Sequence, residues 1–288
     1  MIGTGRSVAA ITVVNALFTG VGAAAAISIP VDARVELTER PSGSATLQVI
    51  RPPAETPLVR TSLVSALNAF GPGRAFDVAL SIQSNIPPSR GLKSSSAVST
   101  AVISAVASGL SVEPSPELVA GMSADVSRRV GLSATGAFDD ALASVSGGCV
   151  VTDNRAHRKL REIPCDPEWR VALWVPAETH RPSPEWGERF AARSGEGRAA
   201  AQLAEKGDLL GAMTRNTTLV EKVMGYEYGP LRESLRRLGA VGSGVSGMGP
   251  TIAAIAPVSA IPRVLGGLPS GSGELLNVAF LGPGKAWG

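Results

Sequence analysis

The sequence predicts an α+β protein built in two layers. Strand-like and helix-like segments alternate irregularly along its 288 residues, and no internal repeat is evident. The chain is long enough to bury a sizeable core, as one large domain or two smaller ones. Hydrophobic residues make up 44% of it but aromatics only 4%, so that core is assembled mainly from Ala, Val, Leu and Ile.

The first element is the hardest to assign. Ser7 to Val31 carries no Asp, Glu, Lys, Arg or His over 25 residues. A signal peptide would use Arg6, the apolar run Val8 to Phe18 and a cleavage site within Ala23 to Ala26. A membrane helix would need about 20 mostly apolar residues. Asn15 in mid-segment, Thr12 and Thr19 beside it, and the interruptions at Gly20 and Gly22 favour a third reading, ordinary buried structure. Ile27, Ile29 and Val31 then alternate with Ser28 and Pro30. This gives a helix-like or extended piece, a glycine turn, and a strand running on through Arg34 to Leu37.

Thr46 to Ile50 reads as a short strand and Arg51 to Pro57 as a proline-rich turn. Helical spacing covers Leu58 to Phe70, and alternation marks Phe76 to Ile82 as a strand. Pro87 to Ser96 is a loop before the apolar helix Ala97 to Ala107. Ser115 caps a helix from Pro116 to Val130, with proline in the first turn. Gly131 to Gly148 mixes turn residues with a short helical run, and Val150 to Thr152 begins a strand. Residues 154–168 turn polar and charged, which places a domain boundary there and divides the chain into 1–158 and 159–288. Beyond it come a strand at Arg170 to Val175 and helices at Glu185 to Glu205, Leu209 to Met224 and Pro230 to Leu238. After the glycine-rich stretch Val241 to Pro250, a strand, a helix and a strand follow at Ile252 to Ile255, Ser259 to Leu265 and Leu275 to Leu281.

Charge and cysteine usage narrow the function. There are 27 basic and 24 acidic residues, net +3, with no block of five like charges, so neither a nucleic-acid nor an anionic-membrane partner is implied. The two cysteines, Cys149 and Cys165, and two histidines, His157 and His180, lack zinc-site spacing. So few cysteines fit a reducing, cytoplasmic compartment, with free buried thiols favoured over a disulfide. GxSxG and GxxxxGK[ST] do not occur.

Three segments carry chemistry. In Pro87-Pro88-Ser89-Arg90-Gly91-Leu92-Lys93-Ser94-Ser95-Ser96-Ala97 a polar, glycine-containing loop runs directly into an apolar helix. A helix N-terminus leaves four backbone N–H groups unpaired and carries about half a positive charge, which suits phosphate. The serine hydroxyls can bond phosphate oxygens or enter a Mg²⁺ shell, and Arg90 and Lys93 add charge; a plain serine-capped helix is the bland reading. In Thr135-Gly136-Ala137-Phe138-Asp139-Asp140-Ala141, adjacent carboxylates can orient a nucleophile or accept its proton, or merely cap a helix. They point about 100° apart on a helix, so one at most faces a substrate. In Gly242-Ser243-Gly244-Val245-Ser246-Gly247-Met248-Gly249-Pro250-Thr251, four glycines let backbone approach a ligand, or form a simple turn.

Together these segments resemble the GHMP kinase superfamily, whose motifs are an N-terminal strand segment, a PxxxGLxSSA phosphate loop and a late glycine-rich loop. Three details are similar to the archaeal-type shikimate kinases: Gly91 to Ala97, Thr135 to Ala141, and Ala10-Ile11-Thr12-Val13-Val14-Asn15-Ala16. The resemblance implies the two-domain GHMP fold, with an S5-like N-terminal and a ferredoxin-like C-terminal domain and the active site between them. It implies ATP and Mg²⁺ as cofactors, shikimate as the acceptor through its 3-hydroxyl, and a cytoplasmic enzyme. On that resemblance Pro88, Arg90, Gly91, Leu92, Lys93, Ser94, Ser95, Ser96 and Ala97 wrap the ATP phosphates, and Gly247, Gly249 and Thr251 line the site from the other side. Asp139 matches the superfamily's active-site Asp best, with Asp140 one residue out of frame. Ser95 is the favoured Mg²⁺ hydroxyl. Many members carry a Mg²⁺-binding Glu on the preceding helix; here either Asp125 substitutes for it with a shorter arm, or water, phosphates and serine hold the ion. A homoserine- or mevalonate-type kinase and a non-catalytic nucleotide sensor of the same fold remain as alternatives.

Overall fold

The computed structural model describes residues 1–41, 47–51, 56–178 and 184–284. Thr46, residues 52–55 of the expected proline-rich turn, and His180 lie outside the described residues.

The uncharged N-terminal stretch forms the centre of a sheet. β1 (Ile2–Val14) and β2 (Val21–Arg40) pair antiparallel over most of their length. β2 is long enough to serve two further neighbours. Its first residues, Val21 to Ala25, pair with β5 (Cys149–Asp153), and Val31 to Arg40 pair with β4 (Ala75–Ser84). β3 (Leu47–Arg51) joins β4 in parallel, and β6 (Arg158–Ile163) joins β5, giving the order β3-β4-β2-β5-β6 with β1 also on β2. Ala9 to Ile11, Val13, and Ala23 to Ile27 are wholly buried here. Among the described residues no helix is long and apolar enough to cross a membrane.

Of helices α1 (Pro57–Phe70), α2 (Ser94–Gly109), α3 (Pro116–Arg129) and α4 (Phe138–Ser146), α2 and α4 pack on this sheet, and α1 and α3 pack against α2. α2 is buried on nearly every face because it lies directly on β1. A Cβ at Gly3 or Gly5 would overlap the carbonyl oxygens of Ala105 or Ala101, so only glycine admits that approach. Ser115 caps α3 as expected, accepting from Leu118 N–H at 3.2 Å.

The second sheet is antiparallel throughout, in the order β10 (Gly273–Ala279), β7 (Trp169–Pro176), β9 (Ile252–Pro257), β8 (Gly242–Val245). Its helices are α5 (Pro184–Ala191), α6 (Ser194–Lys206), α7 (Leu209–Met224), α8 (Gly229–Arg237) and α9 (Ile261–Gly266), the last entered by a 3-10 turn at Val258–Ala260.

Three expectations are revised. The helix read over 185–205 is two helices: at Arg193 the backbone leaves helical geometry (φ −104°, ψ 22°), and α6 restarts at Ser194, with its Gly197 flush on the Phe18 side chain. The phosphate-side helix begins three residues early, at Ser94. The polar stretch taken as the boundary holds β6, whose charged residues face outward, so the first sheet runs through Ile163 rather than stopping at 158. The two halves also share packing. Val171, Leu173, Met213 and Ile255 belong to the same apolar cluster as Ile11, Ala25 and Val151. After β10 the chain returns to the first half, where Leu281 N–H donates to Ala26 O at 3.0 Å and Gly148 N–H to Leu281 O at 2.8 Å.

Candidate active site

The loop before α2 is shaped by alternate residues in the left-handed region: Ser89 (φ 58°), Gly91 (φ 83°) and Lys93 (φ 63°). Lys93 is the last residue before the helix and makes no side-chain cap. The first intrahelical bond is Ala97 N–H to Lys93 O at 3.0 Å, which leaves the amides of Ser94, Ser95 and Ser96 without intrahelical partners. They are donors for an anion at the positive end of a buried helix. α4 opens the same way, after Gly136 (φ 81°) and Ala137 (φ 56°), again with no side-chain cap.

The two helix starts meet across one charge pair. Lys93 Nζ lies 3.2 Å from Asp140 Oδ2, with both side chains nearly buried. Asp139, on the first turn of α4, turns the other way, over Gly22, where any Cβ would collide with its Oδ2. Asn154 holds it: Asn154 Nδ2 donates to Asp139 Oδ1 at 2.8 Å, and Asp139 N–H donates to Asn154 Oδ1 at 3.1 Å. Thr152 Oγ1 also donates to Asn154 Oδ1, at 2.6 Å. Two donors on that oxygen fix the amide so that its NH₂ must face Asp139. Burial pushes the Asp139 carboxyl up to about 7, reinforced by the Asp140 charge and opposed by Lys93 and Asn154. Burial also raises Asp140, against the pull of Lys93.

The third loop closes the site from the second sheet. Ser246 Oγ donates to Gly91 O at 2.6 Å and accepts from Thr12 N–H at 3.1 Å. Gly247 N–H donates to Thr12 Oγ1 at 2.8 Å, and Asn15 Nδ2 donates to Gly247 O at 3.2 Å. A Cβ at Gly91 would overlap the Ser246 carbonyl oxygen, and Gly249 lies under the Tyr226 ring, whose hydroxyl donates to Met248 O at 2.8 Å.

Between these parts lies a cleft of about 320 Å³. Of the residues named from the sequence, Gly91, Leu92, Lys93, Ser94, Ser95, Ser96, Asp139, Asp140, Gly247 and Gly249 all line it. Pro88, Arg90, Ala97, Thr251 and Asp125 are not among its lining. Pro88 is exposed on the rim, while Ala97 and Thr251 are buried behind the surface. Arg90 is turned to the end of β7, donating to Ala177 O at 2.5 Å and Glu178 O at 2.8 Å. Asp125 is exposed on α3 and pairs with Arg128 at 2.7 Å, three residues on, so its carboxylate is engaged away from the cleft. His157 stacks on Phe138 with centroids 5.1 Å apart and lies 2.7 Å from Arg128, outside the cleft lining. Cys149 and Cys165 are free thiols.

Thr12, Asn15 and Trp186, which also line the cleft, and Asn154, which holds Asp139, have no role assigned from the sequence. Thr12 and Asn15 lay inside a quoted motif. Asn154 and Trp186 carried no local signal, because their relevance comes from chain crossings.

Oxygen donors suited to Mg²⁺ are present: the exposed Ser95 on the first turn of α2 and, behind it, Asp140, whose Oδ1 is buried without a partner. Among the described residues no group of three His, Cys, Asp or Glu could cage a metal alone. That fits an ion shared with phosphates and water.

An uncapped helix start facing a buried carboxylate across a cleft, on this two-sheet frame, suits a small-molecule phosphotransferase. The chain belongs to the GHMP kinase family: the model of the GHMP kinases N terminal domain matches residues 58–148 and that of the GHMP kinases C terminal matches 198–271. The shikimate kinase of Pyrococcus abyssi is 35% identical over 256 residues, covering 89% of this chain and 92% of that protein. That of Halobacterium salinarum strain R1 is 35% identical over 264 residues, covering 90% and 91%. Among solved structures, a mevalonate kinase superposes with a TM-score of 0.74 at 14% identity, covering 98% of this chain and 99% of the other. The homoserine kinase of Cytophaga hutchinsonii gives 0.73 at 14%, covering 98% and 96%. These two likenesses concern the fold.

Proposed function

We propose that this protein is a shikimate kinase, transferring the γ-phosphoryl group of ATP to the 3-hydroxyl of shikimate to give shikimate 3-phosphate and ADP. The observation that carries the chemistry is the placement of Asp139, buried and aimed by Asn154, across the cleft from the uncapped start of α2. The choice of acceptor is supported by the archaeal relatives. The cytoplasm, where ATP and reduced thiols coexist, is the proposed location.

The amides of Ser94 to Ser96 and the Lys93 ammonium bind the ATP phosphates and stabilise charge on the transferring group. The acceptor hydroxyl approaches beside Asp139, which orients it and takes its proton at a carboxylate oxygen. The new O–P bond forms in line with the breaking bond to the β-phosphate oxygen, and ADP departs. Mg²⁺, when bound, neutralises phosphate charge; the Ser95 hydroxyl would hold it together with ATP oxygens and water. Lys93 engages Asp140 at 3.2 Å, while Asp139, which has no cation paired to it among the described residues, is the carboxylate we assign to the hydroxyl proton.

A coupled ADP-release assay with Mg·ATP and a panel of shikimate, homoserine and mevalonate tests this reading. Shikimate-dependent release is expected. Release with another alcohol and not with shikimate overturns the acceptor assignment, and nucleotide binding without turnover on any alcohol overturns the enzyme assignment.

A further inference from the structure

Asn216 lies in the middle of α7, wholly buried and outside the cleft lining. Its Oδ1 accepts the backbone N–H of Asn15 at 2.8 Å, a contact across 201 positions of sequence. Asn15 carries the connection onward, since its Oδ1 accepts Leu17 N–H at 3.0 Å and its Nδ2 donates to Gly247 O at 3.2 Å. Gly247 N–H is held by Thr12, and Ser246 reaches Gly91 of the phosphate loop. The adjacent Thr217 Oγ1 accepts Val245 N–H at 3.1 Å, at the root of the same loop. One hydrogen-bonded chain therefore joins α7, the end of β1, the third loop and the phosphate loop.

The other end of the Asn216 amide is unsatisfied: Nδ2 is buried with no partner. A leucine of similar size would remove that desolvated donor, so packing alone disfavours asparagine here. What leucine cannot supply is the acceptor for Asn15 N–H.

We infer that Asn216 is a positioning residue for phosphoryl transfer, latching the β1 end so that Asn15 and Thr12 hold the third loop against the phosphate loop. This deepens the kinase reading and rests on it. A loop displaced by about 1 Å can cost on the order of a hundredfold in rate.

The test compares Asn216→Leu with Asn216→Asp, which keeps the acceptor oxygen. The leucine variant is expected to lose at least tenfold in kcat, with KM for ATP changed less than threefold and a melting temperature no lower than wild type. The aspartate variant is expected to stay within threefold of wild-type kcat. Wild-type kcat in a folded leucine variant overturns the inference, as does equal loss in both variants, which would place the role elsewhere than the oxygen. Asn216→Ala, judged by the same kcat limit, replaces the leucine variant if that one does not fold. Hydrogen exchange at Gly247 N–H, expected at least tenfold faster in Asn216→Leu, needs no acceptor substrate. A wild-type enzyme inactive on shikimate would thus overturn the functional reading while unchanged Gly247 exchange would separately overturn the latch.

Discussion

At the scale of single residues, Asp139 carries the sharpest consequences. Its carboxyl titrates near 7 because it is buried beside Asp140, and a base must be ionised to accept a proton. kcat is expected to rise with pH through about 7 and level off above it. Asp139→Asn is expected to lower kcat by about a hundredfold or more and to abolish that limb; a full-rate variant would move the role to Asp140. Stability runs the opposite way. A carboxyl whose pKa is raised by folding binds its proton more tightly when folded, so its contribution is full at acid pH and lost as pH rises through about 7. Asp139→Asn is therefore expected to melt at least about 2 °C above wild type at pH 8, with the gain vanishing near pH 4. Adjacent carboxylates after a glycine were legible in the sequence as a site. How the two divide the work was not, because both line the cleft and their partners come from elsewhere in the chain: Asn154, in the turn after β5, holds Asp139 over Gly22, and Lys93 pairs with Asp140. Asp125 misled for a related reason: helical spacing places Arg128 three residues away, and that local pair takes the carboxylate.

At the scale of elements, the site depends on backbone approaches that side chains would block. Gly91 combines a left-handed φ of 83° with a Cβ direction filled by the Ser246 carbonyl. Gly73, in the turn between α1 and β4, has φ 75° but open space around its Cβ direction. Alanine at either position strains the backbone by about 1–2 kcal/mol. Only Gly91→Ala is expected to impair catalysis, raising KM for ATP or lowering kcat by about tenfold or more, with Gly73→Ala near wild type in steady-state assays. The contrast separates strain from loop closure. Elements with strong local periodicity were readable from the chain. The apolar pattern from Leu209 to Met224 gives α7 with the same limits, and Ser115 caps α3 as its position suggests. β6 was not readable, since as an outward-facing strand of charged residues it has almost no apolar signature. The first turn of α2 was read as loop because serines favour caps over helix interiors. Here they are helical so that their amides, not only their hydroxyls, face the cleft.

At the scale of the molecule, the halves are interwoven rather than strung together. The segment after β10 docks on the first half through Leu281, and Gly284 N–H donates to Ser146 O at 2.8 Å, at the far end of the helix that begins beside Asp139. Phe280 and Leu281 are half-buried against that surface. Replacing both by alanine is expected to remove roughly 2 kcal/mol and lower the melting temperature by about 4–8 °C, read by thermal unfolding. An unchanged melting temperature would show the docking to be incidental. Composition gave the small-residue core, and motif order gave the family. Neither gave this return, because a hydrogen bond from residue 281 to residue 26 has no local trace in the chain. It also sets an order of events at the ribosome. Ala26 O and Gly148 N–H have these partners only once residue 281, more than a hundred positions further along, has been made. Until then the first half is one strand-edge short of completion, so its folding waits on chain that belongs to the second half.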